Sequence, residues 1–139
     1  MASIFTRIHQ GEIPGKFVAK TDEFFAILDI NPLNRGHVLV IPVEETDYLF
    51  DLAPEFLGRY MQFTQKIAKA IEQVIPCERI GVAVIGLEVP HAHIHLVPID
   101  HVGDINFGKP KLSLAEDELE SIHERIAAAF TLLAQGSSQ

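Results

Sequence analysis

Short apolar segments separated by polar and turn-forming residues predict strands along much of the chain. Lys16–Lys20 and Phe24–Asp29 are typical of two strands joined by a turn at Thr21–Asp22. His37–Ile41 is apolar after its histidine, follows a loop rich in Pro, Asn and Gly, and ends at Pro42. We therefore expect this third segment to form a buried strand.

Two longer segments have the spacing of amphipathic helices. Between Pro54 and Ile75, apolar residues recur every three or four positions, and proline is tolerated in the first turn of a helix. Later in the chain, Ser113 and Glu116 have the spacing of a capping box, which predicts a helix that runs to about Leu133. Gly136 then lies where a glycine often caps the end of a helix.

Two further apolar segments, Ile80–Ile85 and His91–Ile99, predict strands on either side of a short connection. The strands come early and in the middle of the chain, with one helix between them and one helix at the end. This order favours an α+β fold with a mostly antiparallel sheet, one long central helix and an additional C-terminal helix. A length of 139 residues predicts one domain spanning 1–139.

Composition narrows the classes of function. A formal net charge of −8 argues against sequence-independent binding of nucleic acid, which needs a basic surface, but allows a small nucleotide in a local pocket. Cys77 is the only cysteine, so no intrachain disulfide forms, and we interpret it as a packing or surface residue at the end of a helix. The N-terminal segment lacks an apolar signal core and no apolar run is long enough to span a membrane, which predicts a cytoplasmic protein without a membrane partner.

The candidate chemistry lies in the segment Pro90–Pro98, where three histidines alternate with apolar residues. On a strand, His91, His93 and His95 share one face and the residues between them face the core. Near neutral pH, imidazole can act as a nucleophile, as an acid or base, or as a hydrogen-bond donor to phosphate. Two other interpretations remain: ordinary surface histidines, or a metal site in which two of them are ligands beside a residue from elsewhere.

The segment PHAHIHLVP resembles the signature of the histidine-triad superfamily, in which three histidines alternate with apolar residues. Three upstream blocks also resemble this family, in the family's order. The matching segments are Ser3–Ile8 with Gly11–Pro14, Phe25–Pro32, Gly36–Pro42 and Pro90–Pro98. The resemblance covers about residues 3–100, and the segment with the last helix, about 104–135, resembles an extension found in bacterial members. The resemblance to this family implies a histidine-triad fold, a homodimer and a small-molecule nucleotide substrate. It also implies that the protein needs no cofactor.

The resemblance also implies roles for four histidines. His93 corresponds to the nucleophile that attacks the α-phosphate of a nucleotide conjugate. His95 corresponds to a contact with the phosphate oxygens, and His91 lies toward the leaving group or orients His93. His37 is expected to support the triad from the neighbouring strand.

Asp29 corresponds to the carboxylate that accepts hydrogen bonds from the ribose hydroxyls. By the same resemblance, four apolar side chains form a slot for the base: Ile4, Phe5, Ile27 and Ile30. For Ile4 and Ile27, plain core packing is an equally good interpretation.

The sequence departs from the family pattern in two places. Many bacterial members bind structural zinc through two cysteines, a histidine and the first triad histidine; the first three positions here are Ser3, Thr6 and Glu45, so we expect no metal. The family's longer glycine-rich loop, which ends in Gly-Gln-Ser/Thr-Val and donates to the α-phosphate, is reduced here to a segment ending in Glu88 and Val89. Both residues are expected to line the nucleotide site, and Glu88 repels phosphate if it points inward.

The resemblance therefore implies a metal-independent hydrolase or transferase that acts through a nucleotidyl-His93 intermediate. Nucleoside phosphoramidates are the preferred substrates, because the N-terminal blocks resemble the purine nucleoside phosphoramidase-like branch most. The alternatives are a dinucleoside polyphosphate hydrolase, a catalytically weak nucleotide-binding or interaction protein, and a metal-dependent hydrolase that uses the same histidines.

Overall fold

The computed structural model describes residues 2–137, in which the strands form one five-stranded sheet. The strands are β1 (Phe17–Lys20), β2 (Phe24–Leu28), β3 (Val38–Pro42), β4 (Arg79–Ala83) and β5 (Ile94–Ile99). Neighbouring strands are antiparallel, in the order β1-β2-β3-β5-β4. The α-helices are α1 (Ile4–His9), α2 (Pro54–Val74) and α3 (Glu116–Ser137), and two 3-10 turns cover Leu49–Asp51 and Val102–Asp104. The predicted α+β class, with a long central helix and a C-terminal helix, is confirmed.

Alternation along the strands gives the sheet two different faces. One face packs under α2 and α3 and contains the main core, to which the inner strands contribute Phe24, Ala26, Leu28, Val38, Val40, Ile94 and Leu96. The opposite face carries a smaller apolar cluster, to which α1 and the strands β2 and β3 contribute. Its buried members are Phe5, Ile8, Phe25, Ile27, Leu39 and Ile41. Because both faces are covered, every residue of β2 and β3 is buried.

Helix α2 covers the main core with an apolar stripe. Tyr60, Phe63, Ile67 and Ile71 are buried at helical spacing. Helix α3 packs on α2 and reaches β1, so the C-terminal segment completes the same core. Within residues 2–137, no helix combines the length and the hydropathy needed to cross a lipid bilayer.

Helix α1 was missed by the sequence analysis. Ser3 is its N-cap, and the Ser3 hydroxyl oxygen accepts a hydrogen bond from the Thr6 backbone N–H at 3.1 Å. Phe5 and Ile8 face the smaller cluster. Six residues are too few to establish a helical period, so the cap was the one local signal available.

The triad strand starts later than predicted. Strand β5 begins at Ile94 and not at His91, because its ladder with β3 ends at the pair Val40↔Ile94. Beyond that pair β3 reaches Pro42, which has no N–H to continue the ladder. His91 and His93 therefore precede the strand, so the prediction of three histidines within one strand was wrong.

The capping box predicted before the last helix was also wrong, since α3 begins at Glu116. The Leu112 N–H donates to the Pro32 carbonyl oxygen at 2.8 Å, and Leu114 packs against the main core. These contacts keep the chain out of helical conformation as far as Leu114. At the other end α3 continues through Gly136, so that glycine does not end the helix.

The buried Tyr60 hydroxyl joins α2 to the sheet by donating to the Val40 carbonyl oxygen at 2.5 Å. Tyr60→Phe is expected to lower the free energy of unfolding by about 1–2 kcal/mol, because the buried carbonyl loses a partner that water cannot replace. Urea denaturation measures this difference. The control is Tyr48→Phe, since Tyr48 is exposed; equal stability of the two variants would contradict the argument.

Candidate active site

Two neighbouring cavities on the face of the sheet opposite α2 meet at Asp29. The first, of about 280 Å³, is lined by Asp29, His37, His93 and His95 together with residues 85–89, Phe107 and Lys111. We call it the triad cleft. The second, of about 490 Å³, is mainly apolar and includes the four side chains expected to hold the base, Ile4, Phe5, Ile27 and Ile30. We call it the apolar groove. Because Asp29 borders both cavities, the predicted ribose contact lies between the predicted phosphate and base sites.

His93 lies at the floor of the triad cleft with one ring nitrogen engaged. Its Nδ1 is 2.8 Å from the carbonyl oxygen of His91, and a carbonyl only accepts, so Nδ1 carries the proton. The neutral ring then has an unprotonated Nε2. Burial lowers the pKa of His93, with His91 adding to this effect, while the His91 carbonyl and Glu88 oppose it. At neutral pH the ring is therefore a base and a potential nucleophile.

His95 and His37 form a pair whose protonation is fixed by a backbone donor. The Leu33 N–H donates to Nδ1 of His37 at 3.1 Å, so His37 carries its proton on Nε2. That Nε2–H donates to Nδ1 of His95 at 3.0 Å. His95 consequently carries its own proton on Nε2, where it can donate to an anion.

Both rings of this pair stay neutral at neutral pH. The pKa of His37 is lowered to about 3, mainly by burial and further by His95 and Lys111. The pKa of His95 is lowered to about 4, again mainly by burial, then by His93 and Lys111. The rings of His93 and His95 meet edge to face with centroids 4.9 Å apart. The two triad members thus present one acceptor and one donor nitrogen.

His91 is turned away from the triad cleft and is fully buried. Its Nε2–H donates to the Pro42 carbonyl oxygen at 2.7 Å, and its Nδ1 accepts from the Ser3 hydroxyl at 2.6 Å. Neither ring nitrogen is left for a leaving group. Of its two predicted roles, the geometry therefore favours the orientation of His93, through the His91 carbonyl.

A hydrogen-bonded cluster occupies the positions where many bacterial members of the family bind zinc. It consists of Ser3, Thr6, Glu45 and His91. The Glu45 carboxylate accepts from the Ser3 backbone N–H and from the Thr6 hydroxyl, both at 2.5 Å. These hydrogen bonds, that of the Thr6 hydroxyl foremost, lower the pKa of Glu45. The cluster ties α1 to the ring of His91, and so to the residue whose carbonyl binds His93.

This cluster does not fit structural zinc. Zinc sites in proteins use thiolate, imidazole and carboxylate ligands, whereas Ser3 and Thr6 offer hydroxyls that already donate to other groups. Both nitrogens of His91 are also engaged. In the described part of the chain, no group of three or more His, Cys, Asp or Glu residues is arranged to hold a metal ion.

Asp29 follows β2 and is partly buried beside the triad. One carboxylate oxygen accepts from the Asn31 backbone N–H at 2.9 Å, and the other lies 3.7 Å from Nε2 of His37. Burial raises the pKa of Asp29, while Asn31 and Lys111 oppose the rise. With one oxygen engaged by backbone, the other remains available to a ligand hydroxyl.

The base-slot residues differ in exposure. Phe5 and Ile27 are buried, whereas Ile4 and Ile30 are about half exposed. The Phe5 ring packs against His93 with centroids 4.8 Å apart. Phe5 therefore separates the ring of His93 from the apolar groove, and Ile4 and Ile30 are the members that a ligand would cover.

The shortened connection borders the triad cleft as expected, and both Glu88 and Val89 line it. Gly86 has φ of +72°, a left-handed conformation that favours glycine, and it turns the chain back toward the triad. Glu88 is exposed and brings a negative charge to the side of the cleft next to His93.

Two residues that line the cleft were missed because they lie in the C-terminal extension. The Phe107 ring packs on His95 with centroids 4.7 Å apart. Lys111 lines the cleft near Asp29. Neither belongs to a local motif, because a loop that contains an aromatic residue and a lysine carries no specific signal before the position of the loop is known.

Comparison with known proteins identifies the family. A family model of the HIT domain matches residues 10–102. Adenosine 5'-monophosphoramidase of Saccharomyces cerevisiae is 32% identical over 129 residues, which cover 91% of this chain and 82% of the yeast protein. A second relative, protein hit of Bacillus subtilis, is 32% identical over 135 residues, covering 89% of this chain and 91% of that protein.

The fold matches as well. The crystal structure of a zinc-bound histidine triad family protein from Mycobacterium smegmatis has a TM-score of 0.79 and 29% identity, and the match covers 98% of both chains. A HIT-like protein from Bartonella henselae has a TM-score of 0.77 and 30% identity, covering 91% of this chain and 95% of that chain. The signature at residues 90–98, the matched family model and the shared fold agree: this chain belongs to the histidine-triad (HIT) family.

Proposed function

We propose that this protein is a metal-independent hydrolase of nucleotide conjugates, with nucleoside phosphoramidates as its preferred substrates and a nucleotidyl-His93 intermediate. The observation that carries the proposal is the unprotonated Nε2 of His93 beside a donor Nε2–H of His95 in one cleft. Membership of a family that includes adenosine 5'-monophosphoramidases supports the reaction class.

In the first step, the lone pair on Nε2 of His93 attacks the α-phosphorus. A phosphorus–nitrogen bond forms to His93 as the bond to the leaving amine breaks. The amine leaves with the bonding electron pair and takes a proton from water. The Nε2–H of His95 donates a hydrogen bond to the phosphate oxygens and stabilises the negative charge that develops on them.

In the second step, a water molecule attacks the same phosphorus and the bond to Nε2 of His93 breaks. The nucleoside monophosphate leaves with the oxygen and one proton of that water, and the other proton neutralises the hydroxide left when the amine was protonated. His93 returns to its neutral form with its proton on Nδ1. The hydrogen bond between Nδ1–H and the His91 carbonyl persists through both steps, so the ring keeps its orientation. The cycle consumes one water molecule and needs no oxidant, reductant or metal.

The remainder of the nucleotide fits the two cavities. The ribose hydroxyls donate to the free oxygen of Asp29, and the base enters the apolar groove beside Ile4 and Ile30. The negative charge of Glu88 next to His93 favours an amine over an additional phosphate as leaving group. The same charge motivates a second candidate, a nucleotide-binding protein with weak turnover.

His93→Ala is expected to abolish hydrolysis of an adenosine phosphoramidate by orders of magnitude while adenosine monophosphate still binds. The nucleophile is lost, but Asp29, the apolar groove and His95 remain. Mass spectrometry of wild-type enzyme quenched in alkaline denaturant should detect the nucleotidyl adduct on His93, because its phosphorus–nitrogen bond is labile in acid and stable in base. Because the pKa of His93 lies below its usual value, the single-turnover rate should be flat from pH 8 to about 6.5 and fall at lower pH as Nε2 is protonated.

Thermal melts of the variant provide the folding control. Turnover by His93→Ala close to the wild-type rate would contradict the nucleophile assignment. Absence of both adduct and turnover in wild-type protein that binds nucleotide would favour the binding-protein alternative. Loss of wild-type activity in a chelator, with recovery on addition of zinc, would contradict metal independence.

Asp29→Asn is expected to raise KM for ribonucleotide substrates with little change in kcat. The ribose contact exists in both the ground state and the transition state, so its loss weakens both equally. Steady-state kinetics with ribose and 2'-deoxyribose substrates measure the effect, and the variant should discriminate less between the two sugars. A large fall in kcat at unchanged KM would show that Asp29 acts on the chemical step.

We further propose that the chain forms a homodimer through the edge strand β4. Val82, Val84 and Ile85 are exposed apolar residues on or next to this strand, and an uncovered strand edge favours pairing with another chain. Light scattering should give twice the chain mass of 15.4 kDa. Val82→Glu should reduce the mass toward that of one chain, whereas Leu132→Glu, at an exposed site on α3, should not. A wild-type monomer would contradict the proposal.

A further inference from the structure

The triad cleft has few groups that favour an anion. Its histidines are neutral at neutral pH, and Asp29 and Glu88 both add negative charge. The sequence of the shortened connection, Gly86-Leu87-Glu88-Val89, also lacks the side-chain amide and hydroxyl that the family pattern places there. A phosphate ester held against His95 therefore needs a cation from another part of the chain.

Lys111 is the one Lys or Arg side chain among the described residues that line this cleft. Its backbone position is fixed, because the next residue, Leu112, donates its N–H to the Pro32 carbonyl oxygen in the loop after Asp29. On the other side, Phe107 packs on His95. The segment between Phe107 and Leu112 is thus attached at both ends to parts of the candidate active site.

We propose that Lys111 binds the phosphate of the nucleotide and replaces the donors that the shortened connection lacks. The inference rests on the proposed function for the nature of the ligand, and it adds a residue from the C-terminal extension to the site. Lys111 contacts the phosphate oxygens on the side of the cleft where its charge acts on Asp29 and His95, whereas the charge of Glu88 acts on His93. The histidines are neutral and can only donate hydrogen bonds to the phosphate. The ammonium group of Lys111 would neutralise part of the negative charge of the phosphate.

The ammonium group of Lys111 is free to do this. Its contacts within the described residues are a 3.5 Å approach to the Phe107 carbonyl oxygen and a 5.9 Å approach to the Phe107 ring. The side chain is exposed, and no salt bridge of the described chain includes it. Its positive charge already reaches the site, where it adds to the lowering of the pKa values of His37 and His95 by burial and opposes the rise in the pKa of Asp29.

Calorimetric titration with adenosine monophosphate and with adenosine separates the contribution of phosphate binding from that of ribose and base binding, because the two ligands differ only in the phosphate. Lys111→Gln should weaken binding of the monophosphate about tenfold and leave adenosine within about twofold of wild type. Lys111→Arg should retain most of the affinity for the monophosphate. The affinity of wild-type protein for the monophosphate should fall more steeply with salt than that of Lys111→Gln.

Lys109→Gln is the matched control, because this lysine lies two positions away and its charge acts on Asp104 instead of on the triad. Glu88→Gln should change the monophosphate affinity in the opposite direction to Lys111→Gln. Unchanged monophosphate binding by Lys111→Gln, or equal loss of both ligands, would overturn the inference even if His93 forms its adduct. If Lys111→Gln loses affinity for the monophosphate alone, and the wild-type protein shows no turnover, the role of Lys111 in phosphate binding would stand while the catalytic proposal fails.

Discussion

The hydrogen bond between Nδ1–H of His93 and the carbonyl oxygen of His91 leaves the second nitrogen of His93 without a proton at neutral pH. The orientation of that carbonyl depends on the ring of His91, which Pro42 and Ser3 bind on its two sides. Ser3 is in turn fixed by Thr6 and Glu45. The reactive atom is therefore oriented by a continuous series of contacts that ends at the first helix.

The sheet contributes the other half of this arrangement. Alternation places Leu39 and His95 on one face of the paired strands β3 and β5, and Val38, Val40 and Leu96 on the other. A shift of one residue in this register would move His95 into the core under α2. The packing of the main core therefore specifies which histidine meets His37.

Regular elements were predictable because their periods extend over many residues. The strands and α2 differ from the predicted bounds by one or two residues, except β5, whose start depends on Pro42 of another strand. The site was predictable in its residue types, since the histidines and Asp29 stand at motif positions. The burial of His91 behind the cleft, helix α1 and the approach of Phe107 and Lys111 depend on contacts between distant segments, which no local pattern records.

The neutral pair of His37 and His95 couples folding to proton binding. In an unfolded chain both rings titrate near their usual pKa of about 6.5, whereas in the folded protein the values are about 3 and about 4. Below that usual value the unfolded chain binds more protons than the folded one, so acid favours unfolding, and above it the pair contributes no pH dependence. An acidic compartment would thus weaken the fold through protonation of the unfolded chain, while in the folded protein both rings stay neutral until the pH approaches their own lowered pKa values.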